Sequence, residues 1–149
     1  MEAVILIGIQ GSGKSTFYKE KFADTHVRIN LDMLRTKNRE RVLLEGCLAA
    51  KQRFVVDKIN LTREQRERYI SLAKDFGFRT VGFYFRSDLN KALERNSLRE
   101  GRARIPDKGL FDAIKRLQMP EPGEGFDELY YVWIDENNQF VVEPWRDEV

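Results

Sequence analysis

The sequence predicts an α/β protein in which a parallel sheet is wrapped by helices. Three observations lead there. A short apolar run, Ala3-Val4-Ile5-Leu6-Ile7, reads as a buried strand. It runs into the glycine-rich stretch Gly8-Ile9-Gln10-Gly11-Ser12-Gly13-Lys14-Ser15, and a helical pattern follows from Ser15 to Phe22. Beyond it, short apolar runs alternate with segments of helical period, the arrangement that builds parallel sheets.

The glycine-rich stretch has the phosphate-loop spacing of Gly, four residues, then Gly-Lys-Ser. A turn of this kind aims backbone N–H groups inward at the positive end of a helix dipole, where a polyphosphate is held. Gly11, Ser12, Gly13, Lys14, Ser15 and Thr16 are the expected nucleotide-binding residues, and a P-loop NTPase fold is the expectation they raise. Lys14 is expected to reach the β- and γ-phosphates, and the Ser15 hydroxyl to ligate Mg²⁺.

The remaining elements follow in order. His26 to Asn30 is a second strand, and Leu31-Asp32-Met33-Leu34-Arg35 stands at its end. A helical apolar face runs from about Glu40 to Lys51, and Phe54-Val55-Val56-Asp57 is a third strand ending in an acid. Thr62 with Gln65 three residues on is a capping-box start for a helix that buries Tyr69, Ile70 and Ala73 and stops at Gly77. Val81 to Phe85 is a fourth strand, and Ser87 is expected to cap a helix reaching Leu98. An arginine-rich segment then precedes a helix from about Gly109 to Leu117 and a loop over Met119-Pro120-Glu121-Pro122-Gly123. Tyr130 to Ile134 is the fifth strand, and Glu136-Asn137-Asn138 offers a hairpin turn to Phe140-Val141-Val142.

Composition narrows the class. With 149 residues, 42% of them hydrophobic, one core and one domain over residues 1–149 are expected. No apolar run approaches the roughly 20 residues of a membrane span, and the first apolar run leads straight into the phosphate loop, unlike a signal peptide. The single cysteine, Cys47, lies among leucines at helical spacing and reads as a small core hydrophobe, in keeping with a reducing, cytoplasmic setting. Residues 1–118 hold 25 Lys/Arg against 15 Asp/Glu, whereas residues 119–149 hold 1 against 9. A positive body of this kind suits a polyanionic substrate.

In open α/β sheets ligands sit at the carboxyl ends of strands, where the phosphate loop, Asp32 and Asp57 all fall. Asp57 is placed to hold Mg²⁺, directly or through Ser15. Asp32 is the candidate base that accepts the proton of an attacking hydroxyl, with Arg35 on the same helical face. Arg95, Arg99, Arg102 and Arg104 precede or lie in a candidate lid over about residues 99–108 and suit the spreading negative charge of phosphoryl transfer. Asp75-Phe76-Gly77 spells a protein-kinase metal motif but closes an amphipathic helix, so it is coincidence. With His26 the only histidine, a zinc site and a Ser-His-Asp triad are both disfavoured.

Taken together, the phosphate loop, Ile29-Asn30-Leu31-Asp32-Met33-Leu34-Arg35, Asp57 to Asn60 and Arg95-Asn96-Ser97-Leu98-Arg99 resemble the polynucleotide 5′-hydroxyl kinase family. They are similar to its phage-type kinase domain and to small bacterial kinases of the AAA_33-type P-loop group. The resemblance implies an adenylate-kinase-like fold, a five-stranded parallel sheet flanked by helices with an arginine-rich lid. It implies ATP and Mg²⁺ as cofactors and a DNA or RNA 5′-hydroxyl as acceptor. It also implies Asp32 as general base, Arg35 and Asn60 on the acceptor, and Arg99 on the donor phosphates, where the arginine-rich segment adds Arg102 and Arg104 as expected nucleotide-binding residues. The chain departs from the related Asp-x-Thr-Asn in reading Asp57-Lys58-Ile59-Asn60. Two alternatives stay open, a kinase of a small-molecule hydroxyl and a nucleotide-binding module without transfer activity.

Overall fold

In the computed structural model, which describes residues 1–86, 88–99, 101 and 106–146, a six-stranded sheet is flanked by helices. The strands are β1 (Glu2–Ile7), β2 (Val27–Ile29), β3 (Phe54–Val56), β4 (Arg79–Phe85), β5 (Glu128–Ile134) and β6 (Phe140–Pro144), in spatial order β2-β3-β1-β4-β5-β6. The first five are parallel and β6 pairs antiparallel with β5. The expected five-stranded parallel sheet is thus corrected to six strands in a mixed sheet. The reason is the length of the last connection. Only a tight turn separates β5 from β6, whereas a parallel return needs a dozen or more residues. Asp135 builds that turn, its Oδ1 accepting from the backbone amides of Asn137 and Gln139, both at 2.9 Å.

The helices are α1 (Lys14–Lys21), α2 (Leu31–Leu34), α3 (Lys37–Ala50), α4 (Arg63–Asp75), α5 (Leu89–Ser97) and α6 (Asp107–Arg116). Strand side chains alternate between the two faces, and β1 is buried on both. Ala3, Ile5 and Ile7 pack with Leu44, Cys47 and Leu48 of α3 and Tyr69, Ile70 and Ala73 of α4. Val4 and Leu6 pack on the other face with Phe17 of α1, Phe85 and Val132. A third cluster of Ile9, Leu61, Ala92, Leu110 and Ala113 seats α5 and α6 beside the phosphate loop. Burial raises the pKa of the Cys47 thiol, consistent with its place in the apolar core.

Local starts follow capping chemistry. Thr62 and Gln65 form the capping box, each side chain bonded to the other's backbone N–H at 3.2 Å. Ser87 lies outside the described residues, and the side chain capping α5 is that of Asp88, which accepts from the Lys91 amide at 3.1 Å. The acidic end of the chain is tied to the basic body. Glu121 pairs with Arg63, Glu124 with Arg66, and Glu128 with Arg79.

Arg66 is the largest fully buried side chain, at 0% exposure. It donates to Glu124 at 2.8 and 3.1 Å and to the carbonyls of Asn60 and Leu61 at 2.9 and 3.0 Å. Removing one member of such a buried pair strands the other charge. Arg66→Met is therefore expected to lower the unfolding free energy by about 3 kcal/mol. Urea denaturation checks this, and a loss below about 1 kcal/mol, the range of an exposed pair, would contradict it.

Candidate active site

The cleft at the carboxyl ends of β1, β2 and β3 has a volume of about 380 Å³. The phosphate loop forms one wall through Gly11, Gly13, Lys14, Ser15 and Thr16. Asp32, Asp57 and Arg99 also line it. Three strand ends and the start of the arginine-rich segment therefore meet in one place.

Two glycines have geometric reasons to be glycine. Gly11 has φ 78°, and a Cβ there would lie 3.0 Å from the Ala92 carbonyl oxygen of α5. Gly13 is the N-cap of α1 with φ 98°, and a Cβ there would meet the Phe140 ring at 3.1 Å. Both positions require the left-handed backbone and have no room for a side chain. Gly11→Ala is expected to cost about 1–3 kcal/mol of stability through backbone strain, read as a lowered Tm, and an unchanged Tm would refute the strain.

Lys14 lies across the loop. Its Nζ donates to the carbonyls of Gly8 at 2.8 Å and Ile9 at 2.7 Å. Burial pushes its pKa down to about 8, opposed by the Asp57 carboxylate and assisted by the Arg99 guanidinium. A buried ammonium beside a second cation is a favourable seat for negative charge. Ser12 turns its hydroxyl to the Ile9 carbonyl at 2.8 Å, so its side chain braces the loop. Arg95 of α5 donates to the Gly11 carbonyl at 2.8 Å and braces the loop from the other side.

The Ser15 hydroxyl donates to Asp57 Oδ2 at 3.0 Å, across 42 residues of sequence. Asp57 is 3% exposed, and Arg28 of β2 donates to it from Nε at 2.8 Å. Ser15 and Asp57, two oxygen-bearing side chains, have the chemistry of a hard-cation site. Among the described residues no group of three or more His, Cys, Asp or Glu gathers anywhere, so the protein offers few ligands of its own. That set fits Mg²⁺, which keeps several waters and takes phosphate oxygens as its other ligands.

Asp32 is exposed and belongs to α2, whose N-cap is Asn30. The Asn30 side chain accepts from the Met33 amide and donates to the Asp57 carbonyl, both at 2.8 Å, which ties α2 to the end of β3. With Asn30 as the cap, the Asp32 carboxylate is not used to start the helix. Arg35 lies three residues beyond Asp32, just past the last residue of α2. It closes α2 in the left-handed conformation with φ 75°, is exposed, and is not among the residues lining the cleft. Asn60 follows β3. It is 2% exposed, and its Nδ2 donates to the Leu6 carbonyl at 2.7 Å, so its amide belongs to the framework. Arg102 and Arg104 lie outside the described residues.

Arg28 was not singled out by sequence reasoning. The signal was present, a charge in the middle of a short apolar strand, Val27-Arg28-Ile29. Its partners come from two other elements, so only the fold reveals its place.

The chain is 29% identical over 129 residues to the bifunctional polynucleotide phosphatase/kinase of Schizosaccharomyces pombe, covering 84% of this chain and 32% of that protein. It therefore spans about a third of that relative's length. Its fold is similar to a chain in the AvrRxo1-ORF1:-ORF2 crystal structure with ATP, with TM-score 0.72, 15% identity, and coverage of 95% of this chain and 57% of that one. It is similar also to a gluconokinase from Sinorhizobium meliloti 1021, with TM-score 0.58, 22% identity, and coverage of 87% and 82%. The fold is that of kinase-like P-loop NTPases. Residues 4–120 match the AAA_33 model, an AAA domain, and the chain belongs to that family.

Proposed function

We propose that the protein is an ATP-dependent phosphotransferase that phosphorylates a hydroxyl at the 5′ end of DNA or RNA. The observation carrying this reading is that Asp32 lines the same cleft as Lys14, Ser15, Asp57 and Arg99. In the proposed reaction the acceptor oxygen attacks the γ-phosphorus in line, the bond from γ-phosphorus to the β,γ-bridging oxygen breaks, and the hydroxyl proton passes to Asp32. Lys14 and Arg99 offset the charge developing on the phosphoryl oxygens. Ser15 and Asp57 would hold Mg²⁺, which supplies charge neutralisation at the phosphates.

The acceptor assignment is supported by the relative's kinase name and by the cavities next to the cleft. Lys58 lines the cleft and two further cavities of about 590 Å³ each. One of these presents Lys37, Arg41, Lys58 and Arg68, with Glu40 pairing Lys58 and Arg68 and Glu45 pairing Arg41, so four cations meet two carboxylates. A surplus of cations beside the cleft favours an acceptor that carries phosphates of its own.

The test is transfer from γ-labelled ATP to a panel of 5′-hydroxyl oligonucleotides, nucleosides and sugars. The expected result is labelled oligonucleotide, with a rate that falls steeply as salt rises. Label on sugars alone would replace the acceptor, and ATP hydrolysis with no labelled acceptor would overturn the transferase reading.

A further inference from the structure

Both side chains placed to hold a divalent cation are already held by a third. The Arg28 guanidinium donates from Nε to Asp57 Oδ2 at 2.8 Å and from Nη2 to the Ser15 hydroxyl oxygen at 3.0 Å. Ser15 itself donates to the same Asp57 oxygen at 3.0 Å. The three groups close a ring in which a single carboxylate oxygen and a single hydroxyl take every contact. The Asp57 side chain is 2% exposed and that of Arg28 is 22% exposed, so the carboxylate is desolvated and the guanidinium is the side that opens to water.

A buried carboxylate is tolerated because a charge compensates it. A divalent cation and a guanidinium are alternative compensators for the same oxygens, and their positive charges repel. In this same position Arg28 also packs on an aromatic ring. Its guanidinium carbon lies 5.8 Å from the centroid of the Tyr18 ring, within the range of a cation–π contact. That ring is anchored by its hydroxyl, which donates to the His26 carbonyl at 2.6 Å.

We propose that Arg28 is a positioning residue that holds Ser15 and Asp57 together and competes with Mg²⁺ for their oxygens. This rests on the reading of Ser15 and Asp57 as the cation's ligands. The guanidinium keeps the buried carboxylate compensated until the cation takes over. Arg28 thereby sets the Mg²⁺ concentration at which nucleotide binds tightly.

The experiment is equilibrium binding of a fluorescent, non-hydrolysable ATP analogue, titrated with Mg²⁺, in the parent and in Arg28→Gln. Removing the competing cation is expected to lower the Mg²⁺ midpoint by about tenfold or more, the size of effect one neighbouring charge has on a carboxylate's proton affinity. A midpoint that is unchanged or higher in Arg28→Gln, with Mg²⁺-dependent binding in the parent, overturns the competition alone. Binding that ignores Mg²⁺ in both proteins overturns the ligand reading and the proposal with it. Thermal melts report whether Arg28→Gln folds. If it does not, Arg28→Met takes its place, because it keeps an unbranched stem beside the Tyr18 ring and carries no charge. A midpoint below the parent's then supports the proposal, and one at or above it refutes it.

Discussion

Lys14→Ala is expected to lower kcat/KM for ATP by about 10²- to 10³-fold, the loss that follows removal of one preorganised charge-stabilising donor. The ammonium is desolvated, with its pKa down at about 8, and it shares the cleft with Arg99. Its field is therefore little screened by water and acts strongly on phosphate oxygens. The substitution also removes the donor to the Gly8 and Ile9 carbonyls, so part of the effect comes from a looser loop. Nucleotide affinity and transfer rate are both expected to fall. Steady-state kinetics and direct ATP binding measure the two parts, and parent-like values in both would remove the phosphate loop from the mechanism.

Asp32→Asn is expected to lower turnover by about 10²-fold or more, because an amide cannot accept the proton of the attacking hydroxyl. ATP affinity should stay within a few-fold of the parent, since the phosphate-loop donors are untouched. Asp32 is exposed and is not the cap of α2, so the isosteric change leaves the helix start to Asn30. A drop in turnover without loss of Tm or ATP binding separates proton transfer from folding. Equal turnover in the two proteins would show that another group, or water, takes the proton.

The fold was legible where chemistry is local. The phosphate loop needs closely spaced glycines before a helix, and Gly11 and Gly13 adopt the left-handed backbone that this demands. The capping box at Thr62 and the stop at Gly77, with φ 75°, are likewise decided within a few residues. The placement of Asp32 and Asp57 at strand ends followed from the alternation of apolar runs with helices. The surroundings of Arg35 and Asn60 were not legible, because backbone turns decide them. Here α2 ends at Leu34, and Asn60 takes a left-handed turn with φ 47° that carries its amide to β1.

That a polyphosphate cradle opens a parallel α/β sheet was specified by neighbouring residues in the chain, because the motif is built from contiguous backbone. What stands around the cradle came only with the folded arrangement. Arg28 meets Asp57 across 29 residues, Arg95 meets Gly11 across 84, and Arg66 meets Glu124 across 58. The same holds for the acidic end of the chain, three of whose carboxylates, those of Glu121, Glu124 and Glu128, pair with arginines of α4 and β4. Such pairs depend on which strands lie side by side, and charge type at distant positions carries no record of that until the sheet order is known.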